Sequence, residues 1–336
     1  MGSIQIPCKV ISPMFSYGNG KGIKKLEPRP TELKGLLRYV YRIASVESDT
    51  EKLYKWETAL FGGQTSGATE KAKIKASPLR LQFQENKSRR CKGKQSLRRH
   101  VDKNTNGNGC MPCYLPGMMF DITLSMLPRT EYKPITSGMP EKKNLMSWYQ
   151  DLFLLSMVIG GIGRRTRRAR GCMTTQMLKE ISRKELSEWI TQRLNIICGC
   201  EAYQTQEDIV DASLSPNQIT NRPVIEQIRI GRPISNVDDY LMKIDNAAHK
   251  TRAIKRDKYA TGFTKQKQKQ KQNGKPKHRS KCLPNRLASP AIVSLVEIKE
   301  GLFPVYTLVK AIYNGEPLDL ERQERMQFLQ DIEVGE

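Results

Sequence analysis

An apolar run that leads directly into a cluster of arginines constrains this chain more than any other stretch. Residues 148–159 read Trp-Tyr-Gln-Asp-Leu-Phe-Leu-Leu-Ser-Met-Val-Ile. This run is about three helical turns long and too apolar for a surface, so it predicts a buried helix. Residues 160–171 follow, with the sequence Gly-Gly-Ile-Gly-Arg-Arg-Thr-Arg-Arg-Ala-Arg-Gly. Because glycine tolerates positive φ and lets a backbone approach a ligand closely, we expect the helix to end here in a tightly turned loop.

Five arginines stand within seven residues of this loop, with no acidic residue among them. Their guanidinium groups repel one another unless an anion lies between them, and the planar fork of each suits phosphate oxygens. The alternative is a solvated basic turn, which is what most charge runs are. The framing glycines favour phosphate binding. The candidate residues are Gly160, Gly161, Gly163, Arg164, Arg165, Arg167, Arg168 and Arg170.

The charge of the whole chain also indicates a polyanionic partner. Lys and Arg outnumber Asp and Glu by 57 to 34 in 336 residues, which gives a formal net charge of +23. No run approaches the roughly 18 apolar residues of a membrane span, and the N-terminus lacks the apolar core of a signal peptide. Eight irregularly spaced cysteines favour reduced thiols. We therefore expect a cytoplasmic protein that has no membrane partner.

Two further basic segments lie near the N-terminus. Residues 17–25 form a glycine-rich loop that contains Lys21 and Lys24, but the spacing of a nucleotide-binding P-loop is absent. Residues 28–42 predict a helix with Thr31 as its N-cap and a buried apolar stripe. Basic residues also recur along this helix, and a solvated face is the alternative interpretation of them. The candidates for phosphate binding are Arg29, Lys34 and Arg38.

The order of the predicted elements indicates an α+β fold. Strands over residues 3–14, 71–84 and 114–127, the helices at 28–42 and 148–159, and a further strand after the loop give strand, helix, strand, strand, helix, strand. This is the ferredoxin-like order. Residues 86–113 interrupt it as a polar, basic insertion loop.

The second half contains the same kinds of element around a low-complexity segment. Predicted helices cover residues 181–197, 237–256 and 319–332, and strands or apolar elements cover 223–230, 291–298 and 303–312. Residues 258–286 form a basic loop without acidic residues, and its Lys-Gln repeat at 264–272 is too polar to pack. We expect this loop to be disordered and to attract a polyanion. The predicted domain boundary separates residues 1–178 from 179–336.

Cysteine and histidine suggest one metal site and no catalytic site. Cys91, His100, Cys110 and Cys113 lie within or beside one loop and are candidates for a structural zinc, with unrelated thiols as the alternative. Otherwise no cofactor is expected. The histidines are residues 100, 249 and 278, and no carboxylates cluster in sequence near the arginines. The sequence therefore favours a binding protein over an enzyme.

Several of these motifs resemble one protein family. The opening strand, Arg-Pro-Thr-Glu-Leu-Lys-Gly-Leu-Leu-Arg-Tyr-Val-Tyr-Arg at residues 29–42, Leu-Phe-Gly at 60–62 and Gly-Gly-Ile-Gly-Arg-Arg-Thr-Arg-Arg at 160–168 are similar to the RAMP superfamily. Within it they resemble the first-numbered subunit of the type III-B CRISPR effector, the Cmr complex. The match is specific to about residue 175, and element order supports it beyond. The insertion at 86–113 and the repeat at 264–272 match no pattern of the family.

The resemblance implies two ferredoxin-like (RRM-like) domains packed together, and membership of an antiviral ribonucleoprotein. It implies three partners, namely a guide CRISPR RNA, the complementary target RNA and other RAMP subunits of the Cmr complex. It implies a place near the 3′ end of the guide, with the glycine-rich loop, Lys34 and Arg38 lining the RNA cleft. Two alternatives stay open, a RAMP-type endoribonuclease that processes guide RNA and a stand-alone RNA-binding protein.

Overall fold

The computed structural model describes most of the chain. Its described residues are 2–18, 25–65, 73–86, 91–97, 110–127, 132–135, 138–213, 222–254, 261, 263–264, 286–313, 316–317 and 322–333. Four residues singled out above, Lys21, Lys24, His100 and His278, lie outside them, as does most of the basic loop 258–286.

The helices alternate along the chain with short and long strands. The helices are α1 (Pro30–Ala44), α2 (Thr50–Phe61), α3 (Leu145–Ile159), α4 (Gln176–Lys179), α5 (Leu186–Cys198), α6 (Val237–Ile254) and α7 (Arg322–Glu333). The strands of the first half are β1 (Ser3–Val10), β2 (Gly63–Thr65), β3 (Lys73–Lys75), β4 (Leu79–Glu85), β5 (Lys92–Ser96), β6 (Cys110–Tyr114), β7 (Met119–Met126) and β8 (Met173–Thr175). Those of the second half are β9 (Tyr203–Gln206), β10 (Ile209–Ala212), β11 (Ile225–Ile230), β12 (Phe263–Thr264), β13 (Arg286–Leu287), β14 (Ala291–Ile298), β15 (Gly301–Val309), β16 (Ile312–Tyr313) and β17 (Glu316–Pro317).

The first half is built on a four-stranded antiparallel sheet. Its strand order is β4-β7-β1-β8, and Ile6 of β1 lies opposite Ile122 of β7. Together with α1 and α3, these strands follow the order strand, helix, strand, strand, helix, strand that the sequence predicts. The apolar run forms α3, in which Leu152, Phe153 and Leu155 are fully buried. The predicted buried helix is therefore confirmed.

The second half carries a five-stranded antiparallel sheet with the order β14-β15-β11-β10-β9. Helices α6 and α7 contact each other, and Leu241, Ile244 and Phe328 belong to a buried cluster that also includes Val293 of β14. The larger core cluster joins the two halves because it holds both α3 and residues of β14 such as Ile292 and Val296. The fold is thus α+β, with several antiparallel sheets.

Polar contacts fix the two halves against each other at the end of α1. The last carbonyl groups of a helix have no partner within the helix. Arg222, which precedes β11, donates to the carbonyl oxygens of Arg42 (2.6 Å) and Ser45 (2.9 Å), and the Tyr203 hydroxyl donates to that of Ala44 (2.8 Å). Residues of the second half therefore cap a helix of the first.

Element boundaries differ from the sequence prediction where side chains compete for the backbone. Pro30 is the first residue of α1 and Arg29 its N-cap, without a side-chain hydrogen bond, so the prediction of Thr31 as the cap is wrong. Helix α5 begins at Leu186 rather than residue 181, and in the turn before it the Glu185 carboxylate accepts hydrogen bonds from the Ser182 backbone N–H and hydroxyl.

Hairpins are the elements that the sequence analysis missed. Strands β5 and β6 pair within the segment expected to be an insertion loop, and Gly93 lies opposite Cys113. The hairpin β9–β10 turns at Glu207, which has a φ of 53°. Most side chains of these strands are exposed or half-buried, so no apolar alternation marks them in the sequence.

Candidate nucleic-acid interface

The loop of residues 160–171, which we call the glycine–arginine loop, is folded back on itself at the end of α3. Four of its residues have left-handed backbone conformations, namely Gly163 (φ 98°), Arg165 (58°), Ala169 (55°) and Gly171 (71°). A Cβ atom on Gly163 would lie 2.6 Å from the Phe15 carbonyl oxygen, so only glycine fits there. Gly160, by contrast, ends α3 in an extended conformation.

Backbone hydrogen bonds hold the loop between the segment that follows β1 and strand β14. The N–H of Gly171 donates to Pro13 O (3.0 Å), that of Arg164 to Phe15 O (3.1 Å), and that of Ala169 to Val293 O (2.7 Å). Non-glycine residues adopt positive φ only where the surroundings determine it. The second half of the chain therefore fixes the shape of a loop that belongs to the first.

Asp245 of α6 supplies the anion that the arginine cluster requires. Its buried carboxylate lies 2.5 Å from Nη2 of Arg170 and 3.3 Å from Nη2 of Arg165. Sequence analysis missed it, since it is 75 residues away from Arg170. A signal was present: Asp245 sits among the buried helical residues Leu241, Ile244 and Ala248, where an acid requires a partner.

Two arginines predicted to bind phosphate are instead directed into the protein. Arg170 is only 1% exposed. Arg168 is 5% exposed, donates to Thr261 O (2.8 Å), and places its guanidinium 4.7 Å from the ring centroid of Phe328. Burial with internal partners leaves neither side chain accessible to an external phosphate, so the structure corrects this part of the prediction. Arg165 is only partly buried. Its guanidinium binds the Asp245 carboxylate and also donates to Leu97 O (3.1 Å).

Arg164 and Arg167 are the arginines of the loop that face outward. Arg164 is exposed, stacks over the Tyr17 ring at 5.6 Å, and makes no side-chain hydrogen bond or ion pair within the described residues. Arg167 is half-buried, lies over the Tyr39 ring at 4.8 Å, and uses one nitrogen to donate to Ser289 O (2.5 Å). Stacking on tyrosine orients both guanidinium groups without neutralising their charge.

A cleft of about 260 Å³ lies between the loop and α1, next to these arginines. Within the described residues, the backbone N–H groups of Gly161 and Gly163 have no hydrogen-bond acceptor. Both glycines line the cleft, as does Arg167, so three residues with potential phosphate donors surround one cleft. The lining residues are Glu32, Leu36, Tyr39, Val40, Ile159, Gly160, Gly161, Ile162, Gly163, Thr166, Arg167 and Ile292.

The basic row of α1 does not line this cleft. Residues 32, 36, 39 and 40 share the cleft face, whereas positions 34 and 38 lie about 160° and 120° around the helix from Glu32, at 100° per residue. Arg38 instead binds the buried Glu57 of α2 (Nε to Oε1, 2.7 Å). Burial lowers the pKa of Lys34, and the nearby Arg38 lowers it further. Lys34 and Arg38 therefore lie away from this cleft, and a contact of either with RNA stays a prediction.

Arg29 and the described base of the N-terminal basic loop contact residues in or next to the cleft lining. Arg29 donates to the Glu32 carboxylate (2.7 Å), and Glu32 lines the cleft. Lys21 and Lys24 are outside the described residues, but the base of their loop is described, where Gly18 N–H donates to Lys25 O (3.1 Å). Tyr17, at this base, carries the stacked Arg164.

The candidate zinc ligands do not come together in the described part of the chain. Cys110 and Cys113 both lie in β6, so their side chains point to opposite faces, one exposed and one buried. No group of three or more His, Cys, Asp or Glu residues is arranged to hold a metal ion among the residues that the structure describes. His100 lies outside them, and a zinc site stays a prediction. His249 is exposed on α6.

None of the described helices has the length and apolar character that crossing a membrane requires. No protein-family model matches the sequence, and no curated protein matches it.

Solved structures, in contrast, share the fold over nearly the whole chain. Cmr1 from Pyrococcus furiosus, in its apo form, is 16% identical with a TM-score of 0.52, over 99% of this chain and 97% of that one. A chain of the type III-B Cmr-beta complex bound to cognate target RNA and AMPPnP, state 2, in the presence of single-stranded DNA, is 14% identical with a TM-score of 0.55, over 98% of both chains. A chain of the type III-B Cmr-beta complex bound to cognate target RNA is 14% identical with a TM-score of 0.54, over 98% of this chain and 99% of that one. The chain therefore has the fold of Cmr1, as the resemblance in its sequence predicts.

Proposed function

We propose that this protein is a non-catalytic, RNA-binding subunit of a type III-B CRISPR effector, and that it holds single-stranded RNA at the cleft beside the glycine–arginine loop. One observation carries the RNA-binding part. Arg167, Gly161 and Gly163 line one cleft, and the backbone N–H groups of both glycines have no acceptor among the described residues. The exposed Arg164 follows Gly163 in the same loop. Guanidinium and backbone N–H groups are the donors that bind phosphate oxygens.

The rest of the arrangement suits a ligand whose sequence varies. Phosphate contacts position a nucleic acid without reading its bases, and sequence can then be left to pairing between guide and target. The inward-facing arginines and Asp245 would keep the loop in one shape before RNA binds. Such preorganisation lowers the entropy lost on binding.

The likeness to Cmr1 and to the Cmr-beta chains supports a place in such an assembly. We infer that the partners are a guide CRISPR RNA, its complementary target RNA and other RAMP subunits of a Cmr complex, in the cytoplasm. The position near the 3′ end of the guide rests on the sequence resemblance. We also propose two ferredoxin-like domains, residues 1–178 and 179–336. The second domain follows the ferredoxin order through the elements β11, α6, β14, β15 and α7. Strand β10 lies beside β11 in the sheet, at the position that the last strand of a ferredoxin-like domain would take.

The salt dependence of RNA binding tests this proposal. Changing Arg164→Gln and Arg167→Gln together should weaken binding of a labelled single-stranded RNA by about tenfold, because two phosphate contacts are lost. The plot of log K against log salt concentration should become shallower by about 1.4, since each contact to a single strand contributes about 0.7. Fluorescence anisotropy across a potassium chloride series measures both.

A variant with the same loss of charge elsewhere provides the control. Arg80 on β4 and Arg232 after β11 are exposed and do not line the cleft. Arg80→Gln with Arg232→Gln should bind RNA with a slope close to that of the wild type. If the two double variants show the same slope, net charge rather than this cleft holds the RNA, and the proposal is wrong.

A further inference from the structure

We propose that the cleft between α1 and the glycine–arginine loop is a slot for a single unstacked nucleobase of the bound RNA. The inference rests on the proposed function, because it assigns a place to one base of a strand whose phosphates are held at the rim. It adds a second kind of contact, to a base, that neither the charge of the loop nor the likeness to known structures assigns.

The walls of the cleft are apolar where its rim is polar. Leu36 and Val40 of α1 form one side, Ile159 and Ile162 the other, and Ile292 of β14 also contributes. A phosphate group would lose its hydration against such walls without gaining donors, whereas the faces of a nucleobase are apolar. Phosphate binding is therefore favoured at the rim, and base binding inside.

The size of the cleft fits the same occupant. Its volume of about 260 Å³ is smaller than the pockets that hold drug-sized ligands, and it opens to the surface on the side of the rim. Arg167 also lines the cleft, with its guanidinium carbon 4.8 Å from the centroid of the Tyr39 ring in a cation–π contact. Guanidinium planes and apolar side chains are the surfaces on which proteins stack splayed RNA bases.

Tyr39 provides a second, independent observation. Its ring lines the cleft, yet its hydroxyl oxygen is buried and has no hydrogen-bond partner within the described residues. Burial raises the pKa of this hydroxyl, and the Arg167 guanidinium partly offsets the rise, so the group stays a protonated donor at neutral pH. A buried hydroxyl without a partner is costly, and the ring nitrogens and carbonyl oxygens of a nucleobase are acceptors that would satisfy it.

The chemistry of such a slot predicts tolerance of sequence. Every base has a π face, and each carries at least one acceptor on its edge. One donor and apolar walls would hold any base, which suits a subunit that must accept many different RNA strands. We therefore expect binding to depend on whether a base is present rather than on which base it is.

RNA with a single abasic ribose tests the slot. A set of single-stranded RNAs, each lacking the base at one position, is bound to the wild-type protein. In the RNA that lacks the base that would enter the slot, binding should be at least about fivefold weaker, because stacking of one base on a protein lowers the binding free energy by about 1–3 kcal/mol. The salt slope should stay unchanged, since all phosphates remain.

Tyr39→Phe separates this role from a structural one. The variant removes only a hydroxyl that has no partner among the described residues, so the thermal stability of the free protein should stay equal or rise. It should nevertheless weaken binding of intact RNA about threefold or more. With the sensitive abasic RNA the same variant should make no difference, because the two changes remove one shared contact.

The outcomes distinguish this inference from the proposed function. Suppose that every abasic RNA binds as tightly as intact RNA, while Arg164→Gln with Arg167→Gln still lowers the salt slope. The proposal of a base slot is then wrong, and the proposed phosphate interface is supported. If the arginine variant also leaves the slope unchanged, both are wrong. If Tyr39→Phe destabilises the free protein and does not change RNA affinity, its hydroxyl has a structural role and the slot is overturned.

Discussion

Replacing Asp245 by asparagine is expected to lower the free energy of unfolding by about 3–5 kcal/mol. Asp245 is the buried carboxylate that lies 2.5 Å from Arg170 and 3.3 Å from Arg165. Asparagine has nearly the same shape, so the change leaves no cavity. It does leave the Arg170 guanidinium, which is 1% exposed, as a buried charge without its counter-ion. Removing one partner of a buried ion pair is far more costly than removing both.

Urea unfolding measures the effect, with a matched variant on the same helix. Asp239→Asn makes the same chemical change at an exposed position in the first turn of α6, and it should alter the midpoint little. A double variant, Asp245→Leu with Arg170→Met, should recover most of the stability, because neither charge is then buried. Equal midpoints for Asp239→Asn and Asp245→Asn would show that Asp245 does not neutralise the loop.

Alanine at Gly171 should destabilise the protein by about 2–5 kcal/mol. Gly171 has a φ of 71°, a conformation that costs an alanine about 1–2 kcal/mol. Its added Cβ would also overlap the carbonyl oxygen of Ile162, whose N–H donates to Gly171 O (2.9 Å). Because this bond closes the loop, the backbone must move to admit the methyl group. We expect RNA affinity to fall as well, since the open N–H groups of Gly161 and Gly163 would be displaced.

Gly35→Ala provides the contrasting control. Gly35 lies within α1, and apart from its chain neighbours and the backbone of its own helix no atom lies within 4 Å of the position that its Cβ would take. Alanine should therefore raise the stability by about 0.5–1 kcal/mol through its better helix propensity. Thermal unfolding of both variants should show shifts of opposite sign. A Gly171→Ala protein as stable as the wild type would mean that the loop does not have the conformation described.

Local patterns in the sequence predicted the elements that bury an apolar face. Helix α3 is recognisable because its residues are nearly all apolar, and α1 because Leu33, Leu37 and Val40 recur at helical spacing. The hairpins β5–β6 and β9–β10 were missed because their polar side chains carry no such signal. The start of α5 was placed five residues too early, because the apolar pattern extends back to Ile181 while the helix begins at Leu186.

The candidate site could be located from sequence but not resolved into roles. Five arginines without a nearby acid correctly indicated that an anion must lie among them. The sequence could not show that Asp245, 75 residues from Arg170, is that anion for part of the cluster. Nor could it separate the arginines that turn inward from Arg164 and Arg167, because that depends on the left-handed residues of the loop and on its contacts with β14.

Photo-crosslinking tests the central claim, that RNA lies between the glycine–arginine loop and α1. Single-stranded RNA carrying 4-thiouridine is irradiated with the full-length protein, which is then cleaved after acidic residues so that the arginine-rich loop stays intact. The loop falls in the peptide of residues 152–180, and the cleft face of α1 falls largely in residues 33–47. We expect crosslinks in both peptides, reduced by Arg164→Gln with Arg167→Gln. Crosslinks that map only to residues 264–272, the basic Lys-Gln repeat, would contradict the account.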